Sequence, residues 1–131
     1  MKDKLLFYRA YEQFYQMAAT SRAFRAFCID AYGADFSQDG FSDLSQIDRF
    51  ISCMPEKTGV RVLDVGCGNG KMLRYIQEKT GACIAGFDYS ESAIQSAKQY
   101  ADGDFQVGVM GEINYPQESF DVVTAMDSLY F

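Results

Sequence analysis

"VLDVGCGNGK", residues 62–71, joins an apolar, β-branched run to an aspartate and three alternating glycines. A strand that enters a tight turn and then a helix aims the helix's free N–H groups at whatever lies over the turn. Glycines in the turn let a ligand approach the backbone with no Cβ in the way. Phosphate is the first ligand such a turn suggests, but the spacing argues against a dinucleotide. That fingerprint reads G-x-G-x-x-G, whereas Gly66, Gly68 and Gly70 are spaced G-x-G-x-G and Lys71 stands where the third glycine would fall.

Reading outward, "KMLRYIQEKTG" has helical periodicity with Gly81 placed to end it, and "CIAGFDYS" is a second buried strand. Asp88 lies at the end of that strand, where a carboxylate can accept hydrogen bonds from both hydroxyls of a ribose. Ser90 caps a helix over 91–101 that "ADGD" terminates, "FQVGVM" is a third strand, and "FDVVTAM" (120–126) is a fourth. Strands alternating with helices predict a parallel sheet with right-handed crossovers and a ligand at the carboxyl ends of its strands.

The first fifty residues read differently. Phe7, Tyr11, Phe14 and Ala18 recur at helical spacing within residues 3–28, which predicts one amphipathic helix with an aromatic stripe. "GADFSQDGFSD" (33–43) is a loop, and Ser42 or Asp43 caps a further helix carrying Leu44, Ile47, Phe50 and Ile51. We therefore expect a helical cap over 1–55 and an α/β unit over 56–131. Core packing is the first expectation for Tyr8, Tyr11 and Tyr15, and a lid over the site the second. "SQDGF" (37–41) is a weaker candidate to reach the ligand's open side. Lys71 is expected as a solvated residue opening its helix.

The 18 acidic and 12 basic residues give a formal charge of −6, and no Lys/Arg run appears. That removes the electrostatic footprint for nucleic acid or an anionic membrane and favours a neutral or cationic ligand. The four cysteines form no C-x-x-C pair and histidine is absent, so no zinc site or His-based triad is expected. Free thiols, with no signal-peptide pattern and no bilayer-length apolar run, point to a cytoplasmic protein.

Taken together, "VLDVGCGNG", "GFDYS" and "QESFDVVTAMDSLYF" resemble the class I S-adenosylmethionine-dependent methyltransferases over roughly residues 43–131. The resemblance implies a Rossmann-like parallel sheet of order 3-2-1-4 with helices on both faces and an N-terminal helical appendage. It also implies S-adenosyl-L-methionine as cofactor and a small-molecule acceptor. By resemblance Asp64 is the acid that precedes the glycine loop, and Gly66, Cys67, Gly68 and Gly70 pack beside the methionine part. Asp88 holds the ribose, Tyr89 packs on the adenine, and Val109 and Met110 lie at the adenine edge, where the family often has an acid. Glu112 or a backbone carbonyl is an alternative adenine partner. Asp127 and Tyr130, just beyond the fourth strand, are the candidates to face the sulfonium or orient the acceptor.

A class I sheet has seven strands in the order 3-2-1-4-5-7-6, and this chain has room for four. An apolar fourth strand left at an edge invites pairing. The expectation is self-association there, or cover from residues 1–50, or a larger protein of which this is a part. A non-catalytic cofactor-binding fragment is the alternative to an enzyme, and a nucleotide-dependent oxidoreductase a distant third.

Overall fold

The computed structural model describes residues 4–129. Its order is α1 (Tyr8–Thr20), α2 (Arg22–Tyr32), α3 (Leu44–Ser52), β1 (Arg61–Val65), α4 (Lys71–Thr80), β2 (Cys83–Asp88), α5 (Glu91–Tyr100), β3 (Gly103–Val107) and β4 (Val122–Thr124). The sheet runs β3-β2-β1-β4, and every pairing is parallel.

Helix boundaries follow local chemistry. The single helix expected over residues 3–28 is two, because Ser21 adopts an extended conformation (φ −76, ψ 109) and its side chain accepts the Phe24 N–H at 3.1 Å. A hydroxyl that captures an early N–H starts a new helix rather than continuing the old one. Gly33 then ends α2 in the left-handed conformation. Asp43, not Ser42, caps α3, in a reciprocal capping box with Gln46. Ser90 caps α5 by accepting the Ala93 N–H, and Gly81 ends α4.

Alternation along the strands separates two apolar layers. Val62, Ile84 and Phe105 pack with Ile47 of α3, Met72, Leu73 and Ile76 of α4, and Ile94 and Ala97 of α5. On the opposite face Leu63, Ala85 and Phe87 meet Val65, Ile113, Tyr115 and Phe120. Among the described residues the helices against the sheet thus lie on one face, and the helix-free segment 108–121 covers the other, where helices on both faces were expected.

Two strands are shorter than their apolar runs. β3 ends at Val107: the Gly108 N–H donates the last rung of the ladder to the Asp88 carbonyl at 3.0 Å, and Val109 and Met110 lie outside the sheet. β4 is confined to Val122–Thr124, since the Met126 N–H is drawn to Asp64 instead of a ladder partner. Within the described residues β4 pairs only with β1, and Val123 is 62% exposed. No segment of residues 4–50 adds a strand to that edge. α1 packs on α5, and α3 on α4.

Candidate functional site

The turn after β1 is built on the end of β2. The Phe87 carbonyl accepts both the Gly66 N–H (2.9 Å) and the Cys67 N–H (3.0 Å). Gly70 closes the turn as the N-cap of α4 at φ 73, and a Cβ there would stand 2.9 Å from the Ala97 Cβ of α5. This glycine serves close helix packing as well as a left-handed backbone. A Cβ on Gly66 would meet the Ser128 Cβ at 2.6 Å, so the segment after β4 lies directly against the loop.

Asp88 is 7% exposed. Its Oδ2 accepts the Gly68 N–H and its Oδ1 the Ser90 N–H, both at 2.9 Å. These bonds fix the carboxylate between the glycine loop and the start of α5, and a carboxylate has lone pairs left for further donors. Burial raises its pKa, the two N–H groups oppose that, and the Glu12 charge adds to the rise.

Asp64 faces sideways into the sheet. Its Oδ1 accepts the Thr124 hydroxyl (2.8 Å) and the Met126 N–H (3.2 Å), so it ties β1 to the end of β4. Burial pushes its carboxyl up to about 7 against those two hydrogen bonds, with Asp88 and Asp127 adding to the rise. Asp127 has φ 55, and its Oδ2 accepts the Ser42 N–H at 2.9 Å and the Gln38 amide at 3.4 Å. Asp127 is therefore part of one unit with the 38–42 loop.

The N-terminal helices close the site from above. The Tyr15 hydroxyl lies directly over Gly68, where a Cβ would collide with it. Tyr8 and Tyr11 pack on Tyr89, with ring centroids 5.8 and 5.9 Å apart, and the Tyr89 hydroxyl donates to the Leu6 carbonyl. Glu12 holds α1 down by accepting from the Ser92 N–H (3.0 Å) and from the Ser90 and Ser92 hydroxyls at the start of α5. Asn69, within the glycine loop, donates to the Phe36 and Ser37 carbonyls at 3.1 and 2.7 Å and so anchors the loop that carries Asp39.

These elements enclose a cavity of about 420 Å3, within the roughly 300–1,000 Å3 of small-molecule sites. Gly66, Asp88, Tyr89, Val109, Met110 and Asp127 line it, as do Tyr11, Tyr15 and Asp39. Asp64, Cys67, Gly68 and Gly70 are not among its lining residues. Cys67 points into the core against the face of Gly86, and burial drives its thiol pKa up, where a helix N-terminus alone would lower it. Lys71 is not solvated as expected: its Nζ pairs with Asp35 at 2.9 Å and sits 4.7 Å from the Tyr100 ring centroid. Glu112 does not line the cavity. Tyr130 lies outside the described residues.

Glu12, Asn69 and Ser128 were not singled out in the sequence. Only Asn69 carried a usable signal, its place between two of the loop's glycines. Glu12 and Ser128 reach the site through pairings 78 and 63 residues apart along the chain.

Comparison with known proteins agrees with this architecture. A 27-O-demethylrifamycin SV methyltransferase of Amycolatopsis mediterranei is 34% identical over 90 residues, covering 63% of this chain and 33% of the relative. A methyltransferase solved in complex with the Haloferax volcanii Trm112 methyltransferase activator superposes with a TM-score of 0.60 at 25% identity, over 85% of this chain and 45% of that one. A Thiobacillus denitrificans S-adenosylmethionine-dependent methyltransferase, solved with S-adenosyl-L-homocysteine, gives a TM-score of 0.53 at 25% identity, over 61% and 35%. The chain spans about a third of the curated relative and less than half of either solved chain. The family described as "Methyltransferase domain" matches residues 62–131, with the glycine loop, β2 and β4 inside the match, and the chain belongs to that family.

Proposed function

We propose that this chain is the cofactor-binding part of an S-adenosylmethionine-dependent methyltransferase that acts on a small-molecule acceptor in a reducing, cytoplasmic setting. The observation that carries the reading is Asp88: a buried carboxylate fixed by two backbone N–H groups in the lining of the same cavity that Gly66 lines. That arrangement suits a ribose beside a glycine loop. The named activities of the relatives support the methyl-transfer chemistry, and the rifamycin relative supports a small acceptor.

The bound cofactor would supply an electrophilic methyl group on a sulfonium. The protein's part is to hold and align, since ordering reactants can itself lower the barrier by several kcal/mol, on the order of 7–11 in favourable cases. In this reading Asp88 holds the ribose, and Gly66 leaves the loop open on the cavity side. Tyr89, with Val109 and Met110, forms the apolar wall for the adenine. α1 excludes water from above through Tyr11 and Tyr15, held down by Glu12. Asp127 presents its carboxylate to the cavity from the far side, and self-association through β4 is the accompanying proposal for the sheet edge.

The test is calorimetric titration of S-adenosylmethionine, S-adenosylhomocysteine and NAD into the chain and into Asp88→Asn. Losing hydrogen bonds to a charged acceptor costs roughly 1.5–3 kcal/mol, so Asp88→Asn should weaken either sulfur ligand by about 10-fold or more. Preferential binding of NAD, or unchanged affinity in a folded Asp88→Asn, would overturn the assignment.

A further inference from the structure

Charge is segregated in this molecule. The cavity is lined by Asp39, Asp88 and Asp127 together with Tyr11, Tyr15 and Tyr89, and no Lys or Arg lines it among the described residues. Arg25, Lys71 and Arg74 instead gather in a separate cleft with Asp35 and Glu78. A ligand entering the cavity therefore meets carboxylates and aromatic faces, both of which favour a cation.

We infer that Asp39 and Asp127 make this site selective for the charge on the cofactor's sulfur, so that the sulfonium S-adenosylmethionine is held more tightly than the neutral thioether S-adenosylhomocysteine. The inference rests on the cofactor reading above and adds to it a cause of discrimination between substrate and product.

The two residues act as a pair built by tertiary structure. Asp127 accepts the Ser42 N–H, and a Cβ on Gly40 would come within 2.5 Å of its Oδ2, so the 38–42 loop is pressed against it. Asp39 lies in that loop and lines the cavity with Tyr11, whose pKa is raised first by burial and then by the Asp39 charge. Asp127 and the loop that carries Asp39 thus form one unit, and both carboxylate residues line the cavity. Neighbouring groups register the same negative field. Burial is the first cause of the raised Tyr15 pKa, and Asp88 and then Asp39 add to it. Asp64, beneath the site, is raised by burial and further by Asp88 and Asp127.

Methyl transfer removes the sulfonium charge, so the product loses this attraction at the moment it forms. Asp39 and Asp127 would thus bias the site toward exchange of product for fresh cofactor.

Calorimetric titration of both ligands at low and high NaCl tests this. A unit positive charge near one exposed and one half-buried carboxylate should gain about 10-fold in affinity, so S-adenosylmethionine should bind about 10-fold more tightly than S-adenosylhomocysteine, with the ratio shrinking in high salt. Asp39→Asn and Asp127→Asn should each cut that ratio about 3-fold, and the double variant should bring it near one. Asparagine keeps the acceptor oxygen and tolerates the positive φ at position 127, so the fold should persist. Glu78→Gln, on the other cleft, should leave the ratio unchanged. Equal affinities in the unmodified chain would overturn the inference while leaving the cofactor reading intact. An undiminished ratio in the double variant would overturn the assignment to these residues. Failure of both ligands to bind would overturn the cofactor reading and this inference with it.

Discussion

Replacing Asp64 by asparagine should change how the protein's stability depends on pH. The Asp64 carboxyl is raised from 3.8 to about 7, chiefly by burial. It therefore binds a proton more tightly folded than unfolded. The stability it contributes is fully present below 3.8 and is lost as pH rises through about 7. Each pH unit over which the folded form holds a proton that the unfolded form has released is worth about 1.4 kcal/mol. From pH 5 to pH 8 the loss is therefore about 2–3 kcal/mol. Asp88, also raised by burial, adds to it with the same sign. The window is favourable because the chain has no histidine to titrate within it. An asparagine amide oxygen can still accept from the Thr124 hydroxyl and the Met126 N–H that now bond Oδ1. Asp64→Asn should thus flatten most of the slope and be the more stable form at pH 8. Urea unfolding of both proteins at half-unit steps from pH 5 to 8 measures this. A wild-type curve already flat across that range, or a variant that keeps the full slope, would refute the reasoning.

Further outcomes are expected elsewhere. Gly70→Ala puts a methyl 2.9 Å from the Ala97 Cβ at a backbone φ of 73; the strain should lower stability by about 2 kcal/mol or more, and an unchanged urea midpoint would show that α4 and α5 can separate freely. Glu12→Ala removes the acceptor for three donors at the start of α5. Amide exchange in α1 should then speed up while β1 and β2 stay protected; equal protection of α1 in both proteins would remove Glu12 from that role. Asn69→Ala leaves the buried Phe36 and Ser37 carbonyls without their donor, at a cost of about 1–3 kcal/mol, and proteolysis within residues 34–42 should increase. Resistance equal to the unmodified chain would mean the loop is held by other contacts.

The α/β unit was legible because its signals are local. Gly81, Ser90 and Asp43 mark helix ends through bonds made within a few residues, and apolar runs mark buried strands wherever the chain goes next. Lengths were less legible: "FQVGVM" and "FDVVTAM" stay apolar to their last residues, yet the β3 ladder has its last rung at the Gly108 N–H, and after β4 the Met126 N–H goes to the Asp64 side chain instead of a ladder partner. Ser21 was missed because a hydroxyl inside an amphipathic pattern can either ride the helix or restart it, and periodicity does not distinguish the two.

The sequence by itself determined the order of strands and helices from β1 onward, the glycine turn and the acid one strand later. Each of these depends on backbone conformations and hydrogen bonds between near neighbours. Tertiary structure alone decided which of those residues face the cavity. Cys67 and Asp64 turn into the core and the sheet, Tyr15 covers Gly68, and Gly70 serves helix packing. Asp39 and Glu12 join the site only once α1, α2 and the 33–43 loop fold back onto the ends of β1 and β2. The direction of a side chain at such a meeting depends on what packs behind it, and those partners lie tens of residues away along the chain.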